Sequence, residues 1–218
     1  MKKTFVLVAL FVLPVVVYLF FASGVYNFGK LPTLTEDVLD VADFDSSISL
    51  ENKITILGFM GKDVMGKKGS AFNLNQKIYK RFYEFNDFQF VMIGANGTNA
   101  QSEELKKELA EITDVGKWNF AFLSDADIKS LFKSLKTNLE LNEDLSTPYV
   151  FIIDKDKNLR GRNDDEDEGT KYGFNTTSVA ELNNKMVDDV KIILAELMTE
   201  SFSSCRVHST LESDHRSG

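Results

Sequence analysis

Ser146-Thr147-Pro148-Tyr149-Val150-Phe151-Ile152-Ile153-Asp154, followed by Lys155-Asp156-Lys157-Asn158, decides the fold of this chain. A β-branched and aromatic run entered through a Thr-Pro step reads as a strand, because proline is tolerated where a strand opens. The polar Asp-Lys-Asp-Lys-Asn segment is turn chemistry, and it sends the chain into a short return strand from Leu159 to Arg162. Its first residues imitate a calcium loop. The sixth position is Leu159 and the twelfth Asp165, where such a loop needs Gly and Glu, so a hairpin turn is the reading. Downstream, Ser178-Val179-Ala180-Glu181 has the form of a capping box. Val179, Leu182, Met186, Val190, Ile193 and Leu197 then recur at helical spacing. The C-terminal half is therefore strand, strand, helix.

Upstream, Lys53 to Met60 is a short run of β-branched and apolar residues that reads as a buried strand, and Phe88 to Gly94 is a second. Gly61 to Ser70 is a loop rich in Gly and Lys, after which Ala71, Leu74, Ile78, Phe82 and Phe85 stripe a helix. Asn96 to Asn99 is a turn, and Leu105, Leu109 and Ile112 stripe another helix. Trp118 to Leu123 alternates as a strand, and Ile128, Leu131, Phe132 and Leu135 mark a third helix. Strands alternating with helices predict an α/β fold, a central mixed sheet flanked by helices on both faces.

The N-terminus predicts a compartment. Lys2 and Lys3 precede an uncharged run, whose most apolar part, Phe5 to Ala22, would span roughly 27 Å as a helix, close to a bilayer's hydrocarbon core. Positive charge before the run and acidic residues after it orient the following domain outside the cytoplasm. The competing reading is a cleaved signal peptide with Ala22-Ser23-Gly24 as its cleavage site. The expected organisation is a signal-anchor over 1–23, a tether over 24–49, a folded domain over 50–199 and an unstructured Ser-rich tail over 200–218. The protein is placed in the inner membrane, single-pass, with its domain on the periplasmic side. A net charge of −8 argues against nucleic acid as a partner.

The chemistry is bounded by two residue types. Cys205, His208 and His215 are the chain's only cysteine and histidines, and all lie in the tail. The folded region thus has no thiol and no imidazole, the usual redox centre, metal ligand and general base. Met60 and Met65 are the soft donors nearest the first loop, and packing is their ordinary role. Asp164-Asp165-Glu166-Asp167-Glu168 reads as a solvated acidic loop, partly neutralised by Arg160 and Arg162. Asn96-Gly97-Thr98 and Asn175-Thr176-Thr177 match the glycosylation pattern, which arises often by chance.

The order of elements resembles the thioredoxin plan, with the Trp118–Leu135 strand and helix as an insertion. More narrowly, four features resemble the Sco/SenC family. They are the N-terminal anchor, the strand through Phe59, the inserted Trp118–Leu123 strand and the Tyr149–Asp154 strand with its Asp-Lys-Asn turn. That family comprises membrane-tethered thioredoxin-like proteins that deliver copper to cytochrome oxidase or manage its thiols. The resemblance implies a cis-proline at Pro148 facing the first loop. It also implies cysteines near Val64 and Lys68 and a histidine near Leu145 to Thr147, none of which is present. What it leaves is the scaffold's docking edge, here Gly61 to Gly69 with Thr147, Pro148 and Tyr149. The candidate partner-binding residues are Val64, Met65, Lys67, Lys68, Thr147, Pro148 and Tyr149. No catalytic residue, metal ligand or cofactor is expected. The expected function is a noncatalytic binding or assembly module with an envelope-protein partner. The alternative is a divergent thiol-redox or copper-chaperone role using non-standard residues.

Overall fold

The computed structural model describes residues 30–196, together with Val12. The predicted anchor and the tail carrying Cys205, His208 and His215 lie outside the described residues. Among the described residues no helix is long and apolar enough to cross a membrane.

The strands are β1 (Thr33–Thr35), β2 (Ile54–Gly61), β3 (Phe88–Ala95), β4 (Trp118–Leu123), β5 (Ser146–Ile153), β6 (Leu159–Arg160), β7 (Arg162–Asp165), β8 (Gly169–Lys171) and β9 (Phe174–Asn175). The main sheet runs β1-β6-β5-β2-β3-β4, with β9 also paired to β5. β2, β3 and β4 are parallel, with Ile56 opposite Phe90 and Met92 opposite Phe120. β5 returns antiparallel beside β2, with Leu57 opposite Phe151. β7 and β8 form a separate hairpin. α1 runs from Lys68–Leu74 through a π-helical turn, Asn75–Tyr79, to Lys80–Phe82. α2 is Asn99–Ala110 and α3 is Asp125–Ser134. α4 begins at Val179–Glu181, widens to a π-helical turn over Leu182–Met186 and continues through 196.

Every residue of β2 is buried, as a strand covered on both faces requires. On one face Ile54, Ile56, Phe90, Met92, Trp118 and Ile152 pack under α1, α2 and α4. On the other, Leu57, Phe59, Val91, Ile93, Phe151 and Ile153 pack under α3 and the segment carrying Val38, Val41 and Leu50. That segment corrects the expected tether. Residues from Leu31 onward belong to the compact unit, and α3 alone does not cover the second face of the sheet. Val38 and Val41 are buried there, and Asp40 accepts bonds from Ala42 N, Leu50 N and Ser49 Oγ that fold the segment back on itself.

The turn at Asp154 forms as expected: its carboxylate accepts from Asp156 N and Asn158 N. The Ser178 cap also forms, its hydroxyl accepting from Glu181 N at 3.2 Å. The reciprocal half of the capping box does not. Glu181 instead accepts from Asn175 N and pairs with Lys171. Three ends of the predicted stripes overshoot: Phe85 and Ile112 lie beyond the ends of their helices and are exposed, and Val179, in the first turn of α4, is exposed too.

Candidate functional site

β2 ends where Gly61 takes φ +63°, and its Cα faces Asp144 so closely that an added Cβ would lie 2.0 Å from that residue's carbonyl oxygen. Only glycine fits there, for both reasons. The approach lets Lys62 N donate to Asp144 O at 2.8 Å, which joins the loop after β2 to the loop before β5. Side chains reinforce the junction. Asp144 accepts from Ser146 Oγ at 2.6 Å and Ser146 N at 3.1 Å, while its other oxygen takes Lys67 Nζ at 3.0 Å. Partial burial pushes the Asp144 carboxyl up, but the bonds from Ser146 and Lys67 outweigh it and hold the group below its ordinary value. Asn142 Nδ2 donates to Ser146 Oγ at 3.3 Å.

Beside this junction opens a pocket of about 300 Å³. Its floor is apolar, with Met60, Ala71, Leu74, Met92 and Val150. Lys67, Ser70, Asn142, Ser146, Thr147 and Thr177 supply polar groups around it. The position suits binding, because crevices at the carboxyl ends of parallel strands are where open α/β sheets take ligands. Gly58 is part of the design. A Cβ there would meet the Met92 sulfur at 2.7 Å, so the glycine leaves room for the methionine.

Of the residues expected at this edge, Gly66, Lys67, Thr147 and Pro148 line the pocket. The others do not converge on it. Val64 is fully buried in the core. Met65 packs against the same core, and its N–H donates to Gln101 Oε1. Lys68 turns to Glu108 on α2 and lies over the Phe72 ring. Tyr149 packs into the layer on the opposite face of the sheet, as strand alternation from Pro148 dictates. Pro148 itself differs from the expectation. It lies inside β5, and among the described residues no peptide bond is cis. Its carbonyl accepts from Thr176 N and Thr176 Oγ1, so β9 docks on it. Met60, Met92, Asn142, Asp144, Ser146 and Thr177 were not foreseen in this role. A polar turn before a strand was the one available signal, at Asn142 and Asp144.

The acidic run is a hairpin engaged with α4. Asp165 is buried, which pushes its carboxyl up, but Lys185 Nζ at 2.8 Å together with the N–H groups of Asp167 and Glu168 holds it below the ordinary carboxylate value. Asp167 also reaches Lys185, and Glu168 reaches Lys171. Lys171 is fully buried; burial alone would lower its ammonium, but Glu168 and Glu181 hold it above its ordinary value. The expected neutralisation by arginine is mostly replaced. Arg160 pairs with Asp154 and Glu196, and Arg162 clasps Asp189 at 2.7 and 2.9 Å.

The copper implied by the Sco/SenC resemblance has no fitting donor set here. The pocket's soft donors are the Met60 and Met92 thioethers, with neither thiolate nor imidazole. Among the described residues no three His, Cys, Asp or Glu side chains are grouped to hold a metal.

The sequence matches no protein-family model and no curated protein. Solved structures do resemble it. A SCO1/SenC family lipoprotein from Bacillus anthracis is 19% identical, with a TM-score of 0.44 over 66% of this chain and 83% of that one. A putative protein disulfide isomerase from Bacteroides thetaiotaomicron is 15% identical, with a TM-score of 0.49 over 79% and 98%. Arabidopsis thaliana ScoI with copper bound is 18% identical, with a TM-score of 0.40 over 65% and 86%. The strand order set out above, a parallel β2–β3 pair extended by an antiparallel β5–β6 hairpin and closed by α4, is that of a thioredoxin-like fold.

Proposed function

We propose that this protein is a membrane-anchored, extracytoplasmic thioredoxin-fold module. It binds a protein segment of the cell envelope in the pocket between Lys67 and Pro148 and carries out no chemistry on it. One observation supports the reading above the others: a preformed pocket at the functional edge of the fold, with an apolar floor and a polar rim, built without thiol or imidazole. The test is to fill it. Thr177 is an exposed residue of the wall and Ser70 a half-buried one, so Thr177→Trp and Ser70→Phe occupy the space while leaving the core layers alone. Captured from membranes, the full chain should recover a partner that both variants lose. The control Glu166→Lys, on the exposed tip of the β7–β8 hairpin, should retain it. A partner lost with Glu166→Lys and kept by the filled pocket would move the binding surface to the hairpin.

The alternative is a divergent copper- or thiol-handling role of the Sco/SenC kind. It would rest on Met60 and Met92, whose side chains share the pocket floor. Stoichiometric Cu(I) retention that disappears in Met60→Leu and Met92→Leu would favour it.

A further inference from the structure

The two edges of the main sheet are built differently. β1 is three residues long, and its pairing with β6 slips register between Thr33 and Thr35. Short, irregular edge strands resist the addition of a further strand. β4 is six residues long, and its register against β3 runs without a shift from Trp118 to Leu123. Trp118-Asn119-Phe120-Ala121-Phe122-Leu123 holds no charge, proline or glycine, so it carries none of the residues that blunt an edge. Among the described residues, β3 is the one strand paired with it.

The backbone bonds show which groups of β4 face outward. Phe90 N donates to Lys117 O and Asn96 N to Leu123 O, so the odd-numbered residues from 117 to 123 turn their backbone groups toward β3. Alternate residues of a strand bond to opposite sides, and the N–H and C=O groups of Phe120 and Phe122 therefore point to the open edge. Both side chains are half-buried. Phe120 stacks on Trp118 with ring centroids 6.2 Å apart, and a Cβ on Gly94 would meet the Phe122 ring at 3.4 Å. The two ends of the strand are oppositely charged. Lys117 precedes it and makes no ion pair among the described residues. Its ammonium donates to Phe85 O, and burial, with the nearby Lys53, lowers it below its ordinary value. Asp125 and Asp127 follow the strand in the first turn of α3.

We propose that β4 pairs antiparallel with β4 of a second copy about a two-fold axis through Ala121, joining two sheets into one. This register sets Phe120 opposite Phe122 of the second copy, so that the outward backbone groups bond to one another and the two rings share a face. Ala121, the smallest residue of the strand, falls at the axis, where an unbonded pair brings the backbones closest. Lys117 falls opposite Asp125 of the second copy, at both ends of the pair. A two-fold through Phe120 would satisfy the backbone but set Lys117 opposite Leu123. The end charges thus select the chain itself, run antiparallel, as the strand that fits this edge.

The test uses the full chain in detergent, with Cys205→Ser so that the tail cannot cross-link. Light scattering should give a protein mass of two copies. Phe120→Pro removes an outward N–H from each copy and no bond to β3, and should weaken the dimer about tenfold or more. Cross-linking gives an independent readout. Tagged Phe120→Cys chains mixed with untagged Phe122→Cys chains should form a disulfide on mild oxidation, the facing Cα atoms being about 5.5 Å apart. Either variant alone should cross-link far less, because its cysteines meet only across a diagonal of about 7–8 Å. A parent that stays monomeric at every concentration reached overturns the proposal. So does a dimer as strong in Phe120→Pro as in the parent, or one in which positions 120 and 122 do not cross-link. Should Phe120→Pro fail to fold, the cross-link decides alone.

Discussion

Replacing Asp144 by Ala tests whether the junction beside the pocket is held by charge. The substitution removes the acceptor of Ser146 N, Ser146 Oγ and Lys67 Nζ in one step. Hydrogen bonds to a charged group contribute about 1.5–3 kcal/mol when sheltered. Here both Asp144 and Lys67 side chains are 32% exposed, so water takes over much of that and the ion pair itself adds at most ~1 kcal/mol. The Ser146 hydroxyl is the group left worst off. It is buried and keeps only the bond it accepts from Asn142. A net loss of about 1–2 kcal/mol near neutral pH follows. The sign of the pH dependence is fixed by the lowered carboxyl. A group whose native value lies below its unfolded value of 3.8 contributes fully above 3.8, and that contribution is lost as pH falls through the native value. Urea unfolding of parent and variant at neutral pH and near pH 3 should therefore show a gap that is widest at neutral pH and narrows in acid. A gap that stays constant or grows as the pH falls would refute a charged Asp144 as the group that holds the junction.

Other consequences follow from the same geometry. Gly61→Ala should destabilise by about 2–3 kcal/mol in urea unfolding, combining ~1–2 kcal/mol of left-handed backbone strain with loss of the Lys62–Asp144 bond. A version starting at Lys30 should unfold cooperatively, whereas one starting at Leu50 should not. The latter lacks the buried Leu31, Val38 and Val41, each contributing about 1.5–3 kcal/mol of burial; similar unfolding midpoints for the two would restore the tether. Ser178→Ala should cost about 1 kcal/mol as α4 loses its cap, read as a lower midpoint with unchanged slope. With Cys205→Ser, His208→Ala and His215→Ala, the chain should lose Cu(I) to a strong chelator in a competition titration.

The sequence made the inner strands legible because they are buried on both faces and carry unbroken apolar runs. It could not show what covers them. Beside α3, the cover on the second face is Val38, Val41 and Leu50 with Phe44 and Ile48 packed against them, in an Asp- and Ser-rich segment whose regular structure is a short 3-10 turn, Val41–Asp43. Thr33–Thr35 pairs with β6 over a few residues and carries no pattern longer than itself. The β7–β8 hairpin was hidden by its own composition. Five consecutive acidic residues read as solvated until Lys185, distant in sequence and brought in by α4, supplies the countercharge. Packing explains the misplaced site residues. Proximity in sequence assigned Pro148 and Tyr149 to one edge, yet Pro148 lines the pocket while the Tyr149 side chain packs into the layer on the opposite face of the sheet. Val64 lies in the loop by position and in the core by packing.

The polar cluster at the pocket is bonded within itself, which is consistent with the binding role proposed above. A hydroxyl nucleophile requires a base that takes its proton near the working pH. Ser146 Oγ donates to Asp144, whose carboxyl is held below its ordinary value and is accordingly a weak base. The same carboxylate occupies Lys67. Ser146, Asp144 and Lys67 are thus engaged with one another. Their common effect is to hold the loop after Gly61 against the loop before β5. A pocket whose two walls are joined in this way is set before anything enters it, which lowers the ordering cost of binding. The cluster shapes the site, and the apolar floor from Met60 to Val150 supplies the surface that an occupant can bury.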